Sequence, residues 1–368
     1  MYKLIKPILF QLDPEKAHGM TINALKIPQK HTILLPILEK IFHYRHPILS
    51  QSIKGIHFEN PIGLAAGFDK SCEVPKALDK VGLGSLELGG VTPKPQPGNP
   101  KPRMYRLVED HALINRMGFN NLGMNKALSN LRKYSYHTPI GLNVGVNKAT
   151  PYEARYQDYI KVIDTFKNDV TFFTVNISSP NTENLQSFHD KNEFSQLCTA
   201  IQNYKAQHEL NVPLFIKLTS DLSTENLSRM LKPITQTFDG IILANTTQKR
   251  EQLHSINQKE SGGLSGKPLF KRNLKLIAHT YKETQGQFLI IGTGGIFEAN
   301  DVIKMLRHGA SLVQIYSSLV FEGPGLTKTM NKQLAQYLLS NGYKHIGDII
   351  GLDAVSYTHL TLPTTPYV

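Results

Sequence analysis

The chain reads Phe288-Leu289-Ile290-Ile291-Gly292-Thr293-Gly294-Gly295 at residues 288–295, an apolar run that leads directly into a glycine-rich turn. Apolar residues on consecutive rather than alternate positions are typical of strands covered on both faces, as in parallel sheets. The stretch Ile241-Ile242-Leu243 repeats the pattern. These two stretches predict a buried parallel sheet whose strands end in polar or glycine-rich loops.

Eight such runs are distributed along the chain, beginning near Ile62, Ser85, Pro139, Thr171, Leu214, Gly240, Phe288 and Ser311. Segments with helical spacing lie between most of them, at 156–166, 193–204, 224–231 and 299–308. Because strand and helix alternate, the pattern favours parallel βα units, and eight units predict a closed (β/α)8 TIM barrel. A dinucleotide-binding doubly wound sheet is disfavoured, since no Gly-x-Gly-x-x-Gly opens a helix after the first run.

Length and composition agree with one barrel and its appendages. The 368 residues are 40% hydrophobic and 19% charged, and no run approaches the roughly 18 apolar residues of a membrane span. Asp13, Pro14 and Glu15 interrupt the N-terminus before a signal-peptide core could form. Cys72 and Cys198 are too few for a disulfide framework or a zinc site. We therefore expect a cytoplasmic protein without a metal, in a reducing compartment.

The formal net charge of +12 suggests an anionic partner. Nucleic acid is one candidate, but the lysines and arginines are dispersed and no base-reading motif is present. Anionic membranes or anionic small ligands explain the charge equally well. No nucleic-acid partner is expected.

Residues 1–50 precede the first strand and form a separate unit, predicted to be two short amphipathic helices around the apolar groups at 5–10 and 33–42. The unit carries seven Lys or Arg against three Asp or Glu, a net charge of +4. A basic helix pair with an apolar face can lie on an anionic membrane surface. A helical cap over one end of the barrel is the alternative, and composition does not separate the two.

The barrel is assigned to residues 51–354, and residues 355–368 are assigned to a tail outside the fold. The tail contains four Thr and two Pro but no Lys, Arg, Asp or Glu. Because this composition breaks abruptly from that of the preceding segment, we interpret the tail as non-native or disordered.

Polar and glycine residues follow most of the apolar runs, where the reactive groups of an α/β barrel lie. Together they would place two lysines, three asparagines and several glycine-rich turns around one barrel mouth, which suits a planar anionic ligand bound beside a phosphate. Loops after the seventh and eighth strands often bind phosphate through backbone N–H groups, so the candidates lie at 294–295 and 316–317. Taken singly, each of these residues could be an ordinary turn residue.

Five motifs, in order along the chain, carry more specific information. They are Gly63-Leu64-Ala65-Ala66-Gly67-Phe68-Asp69-Lys70, Asn115-Arg116-Met117-Gly118-Phe119-Asn120-Asn121, Asn176-Ile177-Ser178-Ser179-Pro180-Asn181-Thr182, Gly262-Gly263-Leu264-Ser265-Gly266 and Ser311-Leu312-Val313-Gln314-Ile315-Tyr316. They closely resemble the motifs of the dihydroorotate dehydrogenases, and the resemblance covers about residues 1–354. The N-terminal extension, and a serine rather than a cysteine at position 179, are similar to the quinone-using class.

The resemblance implies an FMN-containing enzyme that oxidises dihydroorotate to orotate in pyrimidine biosynthesis and is reoxidised by a membrane quinone. The implied FMN-binding residues are Ala66, Gly67, Lys70, Asn143, Asn176, Lys217, Gly266, Gly295, Tyr316 and Ser317. The implied substrate-binding residues are Lys70, Asn115, Arg116, Met117, Gly118, Phe119, Asn176, Asn181, Asn245 and Thr246. Ser179 would be the catalytic base. Residues 1–50 would hold the enzyme peripherally on the cytoplasmic face of the cell membrane.

The residue types fit this chemistry. Oxidation removes a proton from C5 of dihydroorotate and a hydride from C6, so a base must face one side of the substrate and the flavin the other. Ser179 could act as the base only if a buried hydrogen-bond chain withdrew its proton. Lys217 would stabilise the anionic reduced flavin, and Lys70 would neutralise the substrate carboxylate. Without the surrounding motifs, Ser179 would be interpreted as a capping or turn hydroxyl.

Three positions depart from the family pattern. Gly90 and Ala244 stand where the family typically has Thr, and Val146 stands where a Lys is common. The first two remove hydroxyls from the expected flavin environment and should alter flavin affinity or tuning. None of the three changes the proposed base or either strand-end lysine, so we expect an active enzyme.

Two other functions fit parts of the pattern. One is another FMN barrel acting on a planar heterocycle, such as an RNA dihydrouridine synthase, with which the pI of 9.4 agrees. That class is expected to use a cysteine acid and additional RNA-binding surface. The other is a non-catalytic barrel that binds a phosphate ligand or RNA. Retained flavin colour would argue against it, and salt-dependent RNA affinity would argue for it.

Overall fold

The computed structural model of the protein describes residues 2–178 and 191–355. Its strands are β1 (Gln51–Ile53), β2 (Ile56–Phe58), β3 (Ile62–Leu64), β4 (Ser85–Val91), β5 (Met104–Leu107), β6 (Ala112–Asn115), β7 (Ile140–Val144), β8 (Phe172–Asn176), β9 (Leu214–Lys217), β10 (Gly240–Leu243), β11 (Gly263–Gly266), β12 (Leu289–Thr293) and β13 (Leu312–Ile315). The α-helices are α1 (Tyr2–Gln11), α2 (Pro14–Lys30), α3 (Leu35–Phe42), α4 (Pro75–Leu78), α5 (Met124–Leu131), α6 (Arg155–Phe166), α7 (Lys191–His208), α8 (Thr224–Thr237), α9 (Phe270–Glu283), α10 (Ala299–Arg307), α11 (Ser317–Glu322), α12 (Leu326–Ser340) and α13 (Leu352–Val355).

Eight parallel strands close into a barrel in the order β3-β4-β7-β8-β9-β10-β12-β13, with β13 pairing back to β3. These are the eight strands that the apolar runs predict, so the predicted (β/α)8 barrel is confirmed. The runs are continuous because one set of side chains packs outward against the helices while the alternate set fills the barrel. Leu86, Leu142 and Ile216 belong to the large outer core, for example.

The interior of the barrel is apolar at one end and polar at the other. At the amino-terminal end, the β1–β2 hairpin brings Phe58 into one cluster with the inward-facing Phe172 and Phe215. At the carboxyl end, the inward positions of neighbouring strands are polar, and Asn176 lies opposite Lys217 in the β8–β9 register. The aromatic layer therefore closes the barrel beneath a polar site.

A small antiparallel sheet, ordered β11-β6-β5, adds to the barrel. Its register places Asn115 opposite Gly263 on one side and opposite Met104 on the other. Two of the sequence motifs, at 115–121 and 262–266, are thereby joined. The eight runs do not include these strands, because their sequences, such as Met104-Tyr105-Arg106-Leu107 and Gly263-Leu264-Ser265-Gly266, are not continuously apolar.

The N-terminal helical extension that the sequence predicts is also confirmed, with α1 and α3 at its two apolar groups. A third helix, α2, lies between them and begins at Pro14 after Asp13, whose side chain accepts a hydrogen bond from the backbone N–H of Lys16 at 2.9 Å. This is an ordinary N-terminal cap. The sequence does not reveal α2 by an apolar run, because only a few of its residues, including Ala17 and Ile22, are buried.

No helix within the described residues has the length and apolar character needed to cross a bilayer. The predicted tail falls almost entirely outside these residues.

Candidate active site

A cavity opens at the carboxyl end of the barrel strands, where most of the predicted site residues meet. The predicted residues that line it are Ala66, Gly67, Lys70, Asn115, Met117, Gly118, Phe119, Asn143, Asn176, Lys217, Asn245, Thr246, Gly266, Gly295, Tyr316 and Ser317. They come from strand ends and loops far apart in sequence, which the closed barrel brings to one mouth. Ser179 and Asn181 lie outside the described residues.

Arg116 is placed differently. Its guanidinium donates hydrogen bonds to Glu260 at 2.9 Å and to the backbone oxygen of Pro102 at 2.9 Å, and its side chain lines a separate surface pocket. Its neighbours Asn115 and Met117 line the main cavity, since successive residues of an extended segment point to opposite sides. The side chain of Arg116 therefore does not reach the cavity in this structure.

A chain of hydrogen-bonded amides crosses the floor of the cavity. Asn245 Nδ2 donates to Ser178 Oγ at 2.9 Å, and Ser178 Oγ donates to Asn176 Oδ1 at 2.9 Å. Asn176 Nδ2 donates to Asn143 Oδ1 at 3.1 Å. Asn143 Nδ2 in turn donates to Glu87 Oε1 at 2.6 Å. Three predicted site residues, Asn143, Asn176 and Asn245, are thus parts of one connected network.

Sequence reasoning missed Glu87 and Ser178. Glu87 has 0% exposure, and its other carboxylate oxygen lies 3.6 Å from Lys217 Nζ. A charged residue in the middle of Ser85-Leu86-Glu87-Leu88 was the available signal, since a carboxylate inside a doubly covered strand needs a partner. Ser178 carried no separate signal, because one of two adjacent serines is easily taken for a turn residue.

Lys70 lies in a loop that Asp69 holds in place. The Asp69 carboxylate accepts hydrogen bonds from the backbone N–H groups of Glu73 and Val74, both at 2.8 Å. Burial lowers the pKa of Lys70 to about 8, and Glu15 opposes the decrease. A partly desolvated ammonium group at the cavity suits an anionic ligand.

Close packing around the loop after β12 requires glycine. At Gly294 (φ 93°) a Cβ would lie 2.6 Å from Asn273 Nδ2, and at Gly295 (φ 83°) it would lie 2.7 Å from Phe270 Cβ. Asn273 Nδ2 also donates to the backbone oxygen of Thr293 at 2.7 Å, which fixes the start of the loop. Both glycines border the cavity, so their backbone is open to close approach by a ligand.

The cavity residues fit FMN. Three buried polar atoms in its wall, Thr246 Oγ1, Gln314 Oε1 and Ser318 Oγ, have no hydrogen-bond partner within the described part of the chain. Buried polar groups are normally paired, so these atoms indicate a polar ligand. Lys217 and the amide chain offer donors to a flavin ring, and the glycine loop offers backbone to a phosphate.

The three departures from the family pattern have different structural contexts. A Cβ at Gly90 would lie 2.7 Å from Phe119 Cε1, so the Phe119 ring occupies the space beside the missing side chain. Ala244 is buried and lines the cavity. Val146 is fully buried in the outer core, where a lysine could not be accommodated without a partner.

A second, mostly apolar channel runs beneath α1 and α2. It is lined from the helices by residues that include Leu9, Phe10, Ala17, His18 and Leu25, and from the barrel by Leu64, Leu78 and Leu83. Met104, Leu113 and Tyr316 line both the channel and the main cavity. The two spaces therefore share a wall.

Two titratable groups in the channel are strongly affected by their surroundings. Burial lowers the pKa of His18 to about 4, and Lys70 acts in the same direction. Burial raises the pKa of Tyr316 to about 12. Both side chains are therefore neutral at pH 7. Arg106 also lines the channel, but its guanidinium donates to backbone oxygens of the α1 segment. The rest of the lining is suited to an uncharged apolar molecule.

Comparison with known proteins agrees with this architecture. The sequence model of the dihydroorotate dehydrogenase family matches residues 48–338. Dihydroorotate dehydrogenase (quinone) of Christiangramia forsetii is 43% identical over 338 residues, covering 91% of this chain and 99% of its own. The enzyme of the same name from Bradyrhizobium diazoefficiens is 40% identical over 359 residues, covering 96% and 95%.

Solved structures give the same result. The crystal structure of DHODH from Eimeria tenella in complex with ferulenol superposes with a TM-score of 0.83 at 34% identity, covering 93% of this chain and 96% of that one. A ligand-free structure of the Eimeria tenella protein has a TM-score of 0.79 at 35% identity, covering 88% and 98%. With the barrel, the polar cavity and these matches in agreement, the chain belongs to the dihydroorotate dehydrogenase family.

Proposed function

We propose that this protein is an FMN-dependent dihydroorotate dehydrogenase that oxidises dihydroorotate to orotate in pyrimidine biosynthesis and uses a membrane quinone as electron acceptor. The observation that carries the proposal is the shared wall between a polar strand-end cavity and an apolar channel. An anionic heterocycle fits the first and an apolar quinone fits the second. The chemistry that FMN supplies when bound is acceptance of the C6 hydride and transfer of two electrons to the quinone.

The chain's own residues would hold the flavin from two sides. The proposed set is Ala66, Gly67, Lys70, Asn143, Asn176, Lys217, Gly266, Gly295, Tyr316 and Ser317. The glycine loop and Ser317, whose hydroxyl lies 3.1 Å from that of Ser265, would bind the phosphate end. Lys217 and Asn143 would contact the polar edge of the ring. A positive charge there stabilises the reduced flavin anion.

The substrate would bind over the amide chain. Lys70 would neutralise its carboxylate, and Asn115, Asn176, Asn245 and Thr246 would hydrogen-bond its ring, with residues 117–119 closing the site. Asn181 is proposed as a further contact. Such a set orients C5 and C6 and excludes water from them.

Ser179 is proposed as the base that removes the C5 proton. It follows Ser178, which the structure holds in the amide chain through hydrogen bonds to Asn176 and from Asn245. The residue directly before the proposed base is therefore tied to the cavity floor.

Peripheral membrane contact through residues 1–50 is proposed from the surface of the extension. Apolar side chains stand exposed on all three of its helices and on the link between them, and they include Leu4, Ile5, Ile8, Met20, Ile27, Ile33, Ile37 and Ile41. Nearby lysines complement anionic lipid headgroups. The cytoplasmic face of the cell membrane is the proposed location. Loss of vesicle binding on Ile33→Glu, with binding retained in Ile256→Glu on the barrel, would support it.

The test is an anaerobic visible spectrum of the purified protein. Dihydroorotate should bleach the flavin absorption, and a soluble quinone analogue should restore it, whereas fumarate or a nicotinamide nucleotide should not. A flavin that dihydroorotate leaves oxidised would contradict the proposed substrate. A colourless protein that FMN cannot reconstitute would contradict the flavin itself.

A further inference from the structure

Glu87 is a carboxylate inside the barrel. It lies in the middle of β4, opposite Gly141 of β7, and is completely buried. A carboxylate in such a place is destabilising unless cations and donors compensate it. The contacts of its two carboxylate oxygens therefore show which residues compensate the buried charge.

Each oxygen of Glu87 meets a different residue of the proposed flavin site. Oε1 accepts the 2.6 Å hydrogen bond from Asn143 Nδ2. Oε2 lies 3.6 Å from Lys217 Nζ and has no hydrogen-bond partner among the described residues. Since the side chain of Lys217 is only 5% exposed, this charge pair is shielded from water.

The amide chain has a direction, and Glu87 ends it. From Asn245 through Ser178, Asn176 and Asn143, every donor points toward the next acceptor on the way to the carboxylate. An ionised carboxylate only accepts hydrogen bonds, so the Asn143 amide must present its nitrogen to Glu87 and its oxygen to Asn176. The Asn176 amide is oriented the same way by a second contact, since its Oδ1 also accepts the backbone N–H of Ser178 at 3.2 Å. Glu87 and this backbone group therefore favour one direction along the chain to Asn245.

We infer that Glu87 is a positioning residue: it holds the Lys217 ammonium at the flavin and sets the orientation of the amides that receive the substrate. The inference rests on the proposed function and adds a residue that contacts neither ligand in that proposal. Glu87 balances the charge of Lys217 and thereby sets how readily bound FMN is reduced. Together with the Ser178 backbone N–H, it also determines which amide atoms of Asn176 and Asn245 are free for the substrate.

The test uses Glu87→Gln in the FMN-loaded protein. Glutamine keeps the shape but removes the charge, so Lys217 is left uncompensated and the midpoint potential of the flavin should shift upward, because the reduced anion is favoured. The glutamine amide can also donate, which should reverse part of the amide chain. Orotate, detected through its perturbation of the flavin spectrum, should then bind about tenfold more weakly.

Two variants serve as controls. Glu87→Asp keeps the charge and should return the potential toward that of the wild type. Asp79→Asn neutralises another buried carboxylate, one that accepts hydrogen bonds from the backbone of His137 and Thr138 and does not line the cavity. It should leave both readouts unchanged. If the midpoint potential of Glu87→Gln equals that of the wild type, Glu87 does not position the Lys217 ammonium at the flavin. If the affinity for orotate is unchanged, Glu87 does not orient the amides.

If Glu87→Gln is folded but too unstable to be loaded with FMN, the double variant Glu87→Gln/Lys217→Met decides. It removes the cation that the single change leaves buried without a counter-charge, so its melting temperature should exceed that of the single variant. A double variant that is no more stable would overturn the charge pair. Potential and stability are measured without dihydroorotate, so failure of the proposed substrate would show separately, as a wild-type flavin that dihydroorotate does not reduce.

Discussion

The cavity in the barrel mouth and the channel beneath the N-terminal helices share a wall but are held by different forces. In the cavity, polar side chains stand on strands whose register is set by backbone hydrogen bonds, as at Asn176 opposite Lys217. In the channel, the lining is apolar and comes partly from helices outside the barrel. Function in the cavity should therefore depend on the identity of single polar atoms. Function in the channel should depend on the contacts that attach the helices to the barrel.

A few side chains fasten those helices. Arg106 donates to the backbone oxygens of Leu9, Phe10 and Leu12 at 2.8–3.1 Å, which satisfies the carboxyl end of α1. Arg103 forms a two-pronged ion pair with Glu15 of α2, at 2.8 and 3.1 Å. The comparison predicts that substitutions in the cavity impair flavin reduction. Substitutions of Arg103 or Arg106, which attach the helices to the barrel, should impair reoxidation of the flavin.

The largest effect is expected from Ser179→Ala. Loss of the proposed base should slow flavin reduction by dihydroorotate by roughly 10²- to 10⁴-fold. Reoxidation of chemically reduced protein by a quinone analogue should be unchanged, because the channel is untouched. Stopped-flow absorbance measures both half-reactions. If both slow equally, the division between the two regions is wrong.

Arg106→Ala should produce the opposite pattern with a smaller effect. Losing charge-assisted hydrogen bonds to the end of α1 should loosen the roof of the channel and slow quinone reoxidation by about tenfold. Reduction by dihydroorotate should remain normal. Arg132→Ala is the matched control, since that arginine pairs with Asp169 on the exposed surface. Equal losses in the two variants would contradict a specific role for Arg106.

Restoring the hydroxyls that Ala244 and Gly90 lack should have different effects on FMN affinity. Ala244→Thr should strengthen FMN binding by about fivefold, the effect of one added hydrogen bond. Gly90→Thr should not, because its Cβ would press against the Phe119 ring. Fluorescence titration of apoprotein with FMN gives both affinities. A gain from Gly90→Thr as large as that from Ala244→Thr would show that the ring moves aside freely.

Glu15→Gln should give the smallest effect. Glu15 connects the two regions, because it pairs with Arg103 from α2 and also acts on Lys70 in the cavity. The pKa of Lys70 is about 8, and Glu15 raises it. Carboxylate binding needs the protonated lysine, so kcat/KM for dihydroorotate should fall as the pH rises through that value. Removing Glu15 should move the fall to lower pH, by less than about one unit. Glu39→Gln is the control: Glu39 lies on α3 and pairs with Arg45, and its substitution should not move the profile.

Much of the fold was predictable because parallel barrel strands are covered on both faces. That burial makes their sequences continuously apolar, and the eight runs fall on the observed strands within one residue at their starts. The helix α2 and the sheet of β5, β6 and β11 were not predictable in the same way. Their stability comes from packing on the barrel rather than from a strong pattern of their own.

The sequence by itself determined the barrel, the family and the strand-end positions of the site, since each depends on local patterns and motifs. Only the tertiary structure decided which polar atoms meet. It turned the side chain of Arg116 away from the cavity, joined Glu87 to Lys217 and Asn143, and placed Phe119 beside Gly90. These contacts join residues that are distant in sequence, and their distances depend on closure of the barrel and on the register between its strands.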